Sequence, residues 1–284
     1  MSSCVHAYSV HFELAVRPAG FHGTGTYGTR ASSRHRTKKY RMSTAVIMAG
    51  GRSSRMRATH GPAHKALVDV LGVSMLERNL VTLFGQGFDD VTVVSSADEP
   101  AIAKWVSARG ADLAKVASAK IRGHIECEPL GTIGVLGALA LDGDVLVVNV
   151  DNLSAIDLRA LVRAQRDSGA AMTVAVHEEP FSIPFGEVRV DNGCIVEYAE
   201  KPQRRLLISS GTYVVGRKAR ESIEPGKPTN VPELIARLIA RGERVGAFNH
   251  DAPWIDVNDD AGVKAAESLI AANVERFSTG AVTR

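Results

Sequence analysis

A run of strand-forming residues, Thr44-Ala45-Val46-Ile47-Met48-Ala49, opens into Gly50-Gly51-Arg52-Ser53-Ser54-Arg55-Met56, with Lys65 a short way downstream. Paired glycines let a backbone turn sharply and bring its N–H groups close to an anion. Ser53 and Ser54 add hydroxyl donors, and Arg52, Arg55 and Arg57 add fixed positive charge. Lys65 is a mobile ammonium of the kind that meets a phosphate as a point charge. Together these residues predict a strand-to-loop cradle for phosphate. The competing reading is a tight turn whose arginines line a solvated edge.

The spacing excludes two better-known cradles. The dinucleotide fingerprint G-x-G-x-x-G needs a glycine where Arg52 stands, and the P-loop pattern needs a Gly-Lys-Ser/Thr that is absent. Two carboxylates further along could hold a hard cation. The apolar run Val145–Val148 ends at Asn149-Val150-Asp151, and Asp256 lies in Trp254-Ile255-Asp256-Val257-Asn258-Asp259-Asp260. Mg²⁺ takes oxygen ligands, typically one or two carboxylates with waters and substrate phosphates. Against this, Asp151 could cap the next helix, Asp256 could be a turn residue, and Asp259 or Asp260 could cap the final helix.

The elements that must position these residues alternate. Val73–Phe84 reads as a helix with Leu76, Leu80, Leu83 and Phe84 on one face, and Val91–Val94 as a short buried strand. A helix over 98–109 turns Ala101, Ile102, Trp105 and Val106 inward, a strand lies near Ile121–Glu126, and a helix after Thr132 runs to about Leu141. Val145–Val148 is apolar without alternation, as expected of a strand covered on both faces. Residues 157–168 read as helix and 172–177 as strand. This rhythm predicts an α/β fold with a doubly wound, mostly parallel sheet and ligands at the carboxyl ends of its strands. After Pro180 the pattern shifts to a hairpin, Gly186–Val190 and Cys194–Tyr198 around Asp191-Asn192-Gly193, then a strand over Leu207–Val215. Asn230 and Glu233 predict a capped start for a helix carrying Leu234, Ile235, Leu238 and Ile239.

Composition sets outer bounds. The chain has 284 residues, 45% hydrophobic, enough for a sizeable core, and no run approaches a membrane span of about 20 apolar residues. Three cysteines, Cys4, Cys127 and Cys194, lie far apart, so neither a zinc site nor a disulfide framework is expected, and a cytoplasmic setting is the default. The net charge of +3 comes from the beginning of the chain, since residues 1–42 hold seven Lys/Arg and the single acid Glu13. The remainder is mildly acidic, which removes the electrostatic argument for nucleic acid. Residues 1–42 read as a disordered basic tail: a targeting peptide, a functional arm or, the reading preferred, a product of upstream translation. No apolar segment of an export signal is visible. The expected organisation is this tail followed by one domain over 43–284, divided by the change of pattern into halves at 43–178 and 179–284.

The loop residues carry a resemblance. Ala49–Lys65 resembles the signature of the nucleotidyltransferase superfamily, roughly A-G-G-x-G/S-x-R-M/L followed by lysine. Further blocks stand in the order found in sugar-1-phosphate nucleotidyltransferases. Glu128-Pro129-Leu130-Gly131-Thr132-Ile133-Gly134 resembles the P-L-G-T-A-G nucleobase segment, and Asn149-Val150-Asp151 stands where the family has N-G-D. Glu197–Pro202 contains an E-K-P motif, Ser210-Gly211-Thr212-Tyr213 is similar to N-A-G-x-Y, and Trp254–Asp256 to W-x-D.

The resemblance implies a Rossmann-like nucleotidyltransferase fold with a small β-hairpin-rich acceptor lobe. It implies transfer of a nucleoside monophosphate from a nucleoside triphosphate to a sugar-1-phosphate or a sugar-like phosphate such as a cyclitol phosphate, with release of pyrophosphate and Mg²⁺ as cofactor. Carried over by position, Ala49, Gly50, Gly51, Arg52, Ser53 and Ser54 would hold the triphosphate with Arg55 and Lys65, and Gly131 and Thr132 would line the base. Asp151 and Asp256 would bind the metal, and Gly186, Glu200, Lys201, Ser210 and Gly211 would meet the acceptor. Arg55, Lys65, Asp151 and Lys201 would carry catalysis. The P-L-G-T block leans towards GTP and a mannose-type acceptor. No nucleic acid or membrane partner is implied, and a homo-oligomer is left open.

Departures from the pattern keep rivals in view. Ser53 replaces a loop glycine and Ala66 a proline after the lysine, which is more similar to molybdenum-cofactor guanylyltransferases, although those lack the E-K-P element. Ser209 replaces an asparagine and Val257-Asn258 an isoleucine-glycine, so the acceptor need not be an ordinary hexose phosphate. A catalytically silent nucleotide-sugar sensor of the same fold is the alternative of a different class.

Overall fold

A computed structural model describes residues 44–51 and 53–278. The tail over 1–42 and Arg52, both given expectations above, lie outside the described residues.

Seven strands form one sheet: β1 (Thr44–Ala49), β2 (Asp90–Ser96), β3 (Lys120–Glu126), β4 (Val145–Asn149), β5 (Met172–Ser182), β6 (Gln203–Val215) and β7 (Val245–Asn249). Their spatial order is β7-β5-β6-β4-β1-β2-β3. All neighbours pair in parallel except β6, which runs antiparallel to both β4 and β5. The mostly parallel, doubly wound sheet expected from the alternating elements is therefore present. Its second half contributes β6 between β5 and β4, so the two halves of the sequence share one sheet.

Side-chain alternation explains why both faces are covered. In β1, Ala45, Ile47 and Ala49 face one apolar layer, while Val46 and Met48 face the other. The first layer packs beneath Met75–Gly85 and Leu158–Ser168, through Leu76, Leu80, Leu83, Phe84, Leu158, Leu161 and Val162. The second packs beneath Val231–Ala240 through Val231, Leu234 and Leu238, and Ile239 is left exposed. A third cluster, with Met56, Val68, Leu153, Val257, Val263 and Ala266, fastens the helix Asp260–Ala272 over the loop after β1.

Local chemistry sets the boundaries. Asn230 and Glu233 form the expected capping box. Asp157 accepts from Ala160 N–H at 2.8 Å, and Asp259 accepts from Gly262 N–H at 2.8 Å. Asp259 is thus the cap of the last long helix, and Asp256 is free of that duty. Asn192 and Gly193 both have positive φ (47° and 79°), the backbone of a tight hairpin turn between Glu187–Asp191 and Cys194–Ala199.

Two expected helices differ. The helix to Leu141 is only a 3₁₀ turn over Gly134–Gly137. Its glycines lie against other backbone: a Cβ on Gly137 would sit 2.5 Å from the Ile223 carbonyl and one on Gly134 2.7 Å from the Lys227 carbonyl. Tertiary contact overrode a local helical pattern there. The helix expected over 98–109 starts at Pro100 and continues to Val116 through a wide π turn at Val106–Gly110, which leaves Ala101 exposed and Ile102 and Val106 buried. Among the described residues no helix is long and apolar enough to cross a membrane.

Candidate active site

After β1 the chain winds out to β2 and β3; after β3 it returns to β4, on the other side of β1. The carboxyl ends of β1 and β4 therefore flank the point where the winding reverses, where open α/β sheets bind ligands. Gly50-Gly51 follows β1 and Val150-Asp151 follows β4. Ala49 is buried as the last residue of β1, and Gly50 begins the loop.

Ser53 has φ 52°, a left-handed backbone that favours glycine, so this loop makes the turn of a glycine with a serine in place. Its hydroxyl is buried and accepts from Lys65 N–H at 3.2 Å. Ser54 and Arg55 are exposed in the first turn of Ser54–His60. Arg57, grouped with the cradle's cations on sequence grounds, is ion-paired with Glu99 on the far side of the loop.

Lys65 crosses the cleft. Its ammonium pairs with the Asp151 carboxylate and donates to Asn258 Oδ1 at 3.1 Å. The Asn258 amide in turn donates to Asp256. Backbone pairing holds the two acids close: Asp256 lies opposite Asn152, and Val257 N–H donates to the Asp151 carbonyl at 2.9 Å. The Asp256 carboxyl is pushed up to about 6, first by desolvation and then by the charge of Asp151, while Lys65 and Arg55 pull it down. Two acids that repel across one cleft fit a divalent cation, which removes the repulsion. Among the described residues no group of three or more His, Cys, Asp or Glu side chains could hold a metal. An open site of two carboxylates suits Mg²⁺, which keeps waters and phosphate oxygens in its shell.

On the other side of Gly50 stands Glu126, the last residue of β3. It is 6% exposed, and a Cβ on Gly50 would lie 2.7 Å from its Oε2. Burial pushes its carboxyl up to about 7, against the pull of a hydrogen bond from the Leu130 backbone, and its Oε1 is buried without a partner. The carboxyl group thus lies between the Gly50 loop and the Leu130–Thr132 segment. Gly131 adopts φ 76°, and a Cβ there would meet the Thr229 carbonyl at 2.7 Å. Thr132 N–H donates to Asn230 Oδ1 at 3.2 Å, and its hydroxyl accepts from Val231 N–H at 2.9 Å. The helix cap at Asn230 thereby fixes the expected base-lining segment.

The acceptor candidates divide. Gly211 has φ 66°, and a Cβ on it would overlap Asn152 Nδ2 at 1.9 Å. Ser210 is fully buried: its hydroxyl lies 2.8 Å from His177 Nδ1 and 2.7 Å from His250 Nε2, and its carbonyl accepts from Asn152 at 2.7 Å and Trp254 Nε1 at 2.8 Å. These partners occupy the polar atoms of Ser210 and brace β6 against the loops that carry Asp151 and Asp256. Gly186, Glu200 and Lys201 lie exposed on the hairpin lobe. Tyr198 hydroxyl donates to Glu200 at 2.9 Å, and a Cβ on Gly186 would sit 2.2 Å from that hydroxyl. Among the described residues no hydrogen bond or ion pair joins Glu200 or Lys201 to Lys65, Asp151 or Asp256.

Glu126, Asn152 and Asn258 escaped the sequence reading. In the sequence Asn258 stands out only as a departure from the pattern, although its place two residues beyond a candidate ligand is a usable signal. Glu126 sits two residues before the Glu128–Gly134 block, without a pattern of its own.

A family model described as Nucleotidyl transferase matches residues 44–271. The mannose-1-phosphate guanylyltransferase catalytic subunit beta of Drosophila pseudoobscura pseudoobscura is 29% identical over 224 residues, 75% of this chain and 58% of that protein. A UTP–glucose-1-phosphate uridylyltransferase of Synechocystis sp. is 26% identical over 230 residues, 75% of this chain and 59% of that protein. The chain thus covers under two thirds of the length of either relative. Among solved structures, HddC from Yersinia pseudotuberculosis aligns with a TM-score of 0.61 at 24% identity, covering 80% of this chain and 99% of that one. The inositol-1-phosphate CTP transferase of T. maritima aligns with a TM-score of 0.57 at 15% identity, covering 84% and 96%. These structural likenesses speak to the fold. With the family model spanning most of its length, the chain belongs to the nucleotidyl transferase family, and its relatives include sugar-1-phosphate nucleotidyltransferases.

Proposed function

We propose that this protein is an Mg²⁺-dependent guanylyltransferase that joins the GMP unit of GTP to a sugar-1-phosphate or a similar phosphorylated alcohol. The observation that carries the reaction class is the convergence of Lys65, Asp151, Asp256 and Asn258 at the reversal point of the sheet. In the reaction an acceptor phosphate oxygen bonds to the α-phosphorus. The bond from that phosphorus to the bridging β-oxygen breaks, and pyrophosphate leaves with the electron pair. No protein nucleophile is needed; positioning and charge neutralisation do the work. Lys65 and Arg55 offset phosphate charge, and Gly50 and Gly51 allow close backbone approach. Asp151 and Asp256 would hold Mg²⁺, which when bound neutralises charge on the phosphate oxygens.

Glu126 supports the choice of guanine. The Watson–Crick edge of guanine offers adjacent N1–H and N2–H donors, which an ionised carboxylate can accept together. Uracil and thymine offer one donor beside carbonyls that a carboxylate repels. Opening the Leu130–Thr132 segment over this buried carboxyl would present its unpartnered oxygen to guanine, and binding would draw its proton off. The guanylyltransferase name of several relatives points the same way. On this reading Lys201 and Glu200 belong to the acceptor side, and the cytoplasm is the expected compartment.

The test is pyrophosphate release over five nucleoside triphosphates against a panel of hexose-1-phosphates, heptose-1-phosphates and cyclitol phosphates with Mg²⁺. Turnover confined to GTP with one acceptor supports the proposal. Turnover confined to another nucleotide overturns the guanine assignment. A blank panel with measurable nucleotide binding overturns the enzyme reading in favour of a sensor.

A further inference from the structure

His64 immediately precedes Lys65, is 2% exposed, and is used by nothing described so far. Its two ring nitrogens face different parts of the cradle. Nδ1 accepts from Ala66 N–H at 3.1 Å, capping the 3₁₀ turn Lys65–Leu67. A nitrogen that accepts carries no proton, so in the neutral ring the proton sits on Nε2. Nε2 lies 2.6 Å from the Gly51 carbonyl and donates to it. Beside it the Lys65 N–H donates to Ser53 Oγ at 3.2 Å. These two cross-ties join Gly51 and Ser53 to His64 and Lys65 across the intervening helix Ser54–His60 and its following turn.

We propose that His64 is a positioning residue for the triphosphate: it holds the Gly51 carbonyl turned into the protein and sets the Lys65 stem at a fixed distance from the loop. A carbonyl oxygen repels a phosphate oxygen, and in a glycine pair nothing steric prevents that carbonyl from swinging towards the anion. The imidazole supplies the missing restraint, and its cap on Ala66 fixes the backbone from which Lys65 projects. Burial pushes the His64 ring below its ordinary range, which agrees with a neutral ring that accepts at one nitrogen and donates at the other. The role rests on the nucleotide-binding reading given above.

The two functions of the ring separate chemically. In His64→Asn, Oδ1 occupies the place of Nδ1 and retains the cap, but the side chain is too short to reach Gly51. In His64→Gln the amide can reach Gly51 with its donor. Equilibrium binding of GTP, steady-state kinetics and the thermal midpoint are measured for the wild type and both variants. The expected result is a weakening of GTP binding and a rise in its KM of about threefold to tenfold in His64→Asn, the worth of one hydrogen bond, with the acceptor KM unchanged. His64→Gln is expected to recover part of this loss, and the thermal midpoint of His64→Asn is expected to fall by only a few degrees, the cost of about one buried hydrogen bond, with the protein folded at the assay temperature. Unaltered GTP binding in His64→Asn overturns the inference. So does a loss that follows the thermal midpoint and affects both substrates alike, because that marks a purely structural residue. Absence of turnover and of GTP binding in the wild type itself would instead remove the functional reading on which the inference depends.

Discussion

The Lys65 ammonium and the Asp151 carboxylate hold each other across the cleft, although 86 positions separate them in the chain. A cation proposed to meet phosphate and an acid proposed to hold a metal are thereby set at one point. Asp151→Asn keeps the shape and the Val257 N–H bond to the backbone carbonyl while removing the charge. Turnover is expected to fall by about a hundredfold or more, the scale seen when a transition-state electrostatic group is lost. The circular dichroism spectrum and thermal midpoint should remain close to those of the wild type. Chelation of the divalent cation should abolish wild-type activity, and added Mg²⁺ should restore it. Activity retained in Asp151→Asn would remove that residue from the metal site.

Glu126 provides a test of base selection. Glu126→Gln exchanges a double acceptor for one acceptor and one donor. Hydrogen bonds to charged groups contribute about 1.5–3 kcal/mol, so kcat/KM for GTP should drop by about tenfold to a hundredfold. The residual rate with UTP should change little. Competition between the two nucleotides in one assay reads the discrimination directly.

The same residue gives a pH dependence of stability. Its folded carboxyl lies near 7 against an ordinary value of 4.5, so the folded protein keeps a proton that the unfolded chain has released. Through this group stability is greatest below about pH 4.5, declines as pH rises, and reaches its floor above about pH 7. Glu126→Gln has no proton to lose. Its denaturation midpoint, relative to the wild type, should therefore shift upwards between about pH 5 and about pH 8. A constant difference across that range would contradict the burial argument.

Gly211 is a steric test of how β6 meets the loop that follows Asp151. A Cβ at this position would overlap Asn152 Nδ2, and φ 66° disfavours any L side chain. Gly211→Ala should destabilise the fold by about 1–3 kcal/mol, from combined strain and overpacking. Activity should fall further than stability does, because Asn152 follows Asp151 and pairs opposite Asp256. Urea denaturation and pyrophosphate release on the same preparation separate the two effects.

The sequence by itself determined the sheet and the glycine loop that follows its first strand. Val145–Val148 is apolar on both faces, the mark of a covered strand, and Asn230 with Glu233 announces a helix start within four residues. Gly50-Gly51, Lys65, Asp151 and Asp256 were legible because their types and order are themselves the pattern. The short-range signal failed at Gly134–Gly137, where the helical pattern is cancelled by backbone from residues 223 and 227. The tertiary structure alone decided which polar groups face one another. It withdrew Ser210 into contact with His177 and His250, set Glu126 beside Gly50, and linked Asn258 to Lys65. Periodicity records which face of an element is apolar. It carries no record of which distant strand end is brought opposite, and in a parallel sheet the winding order fixes that meeting.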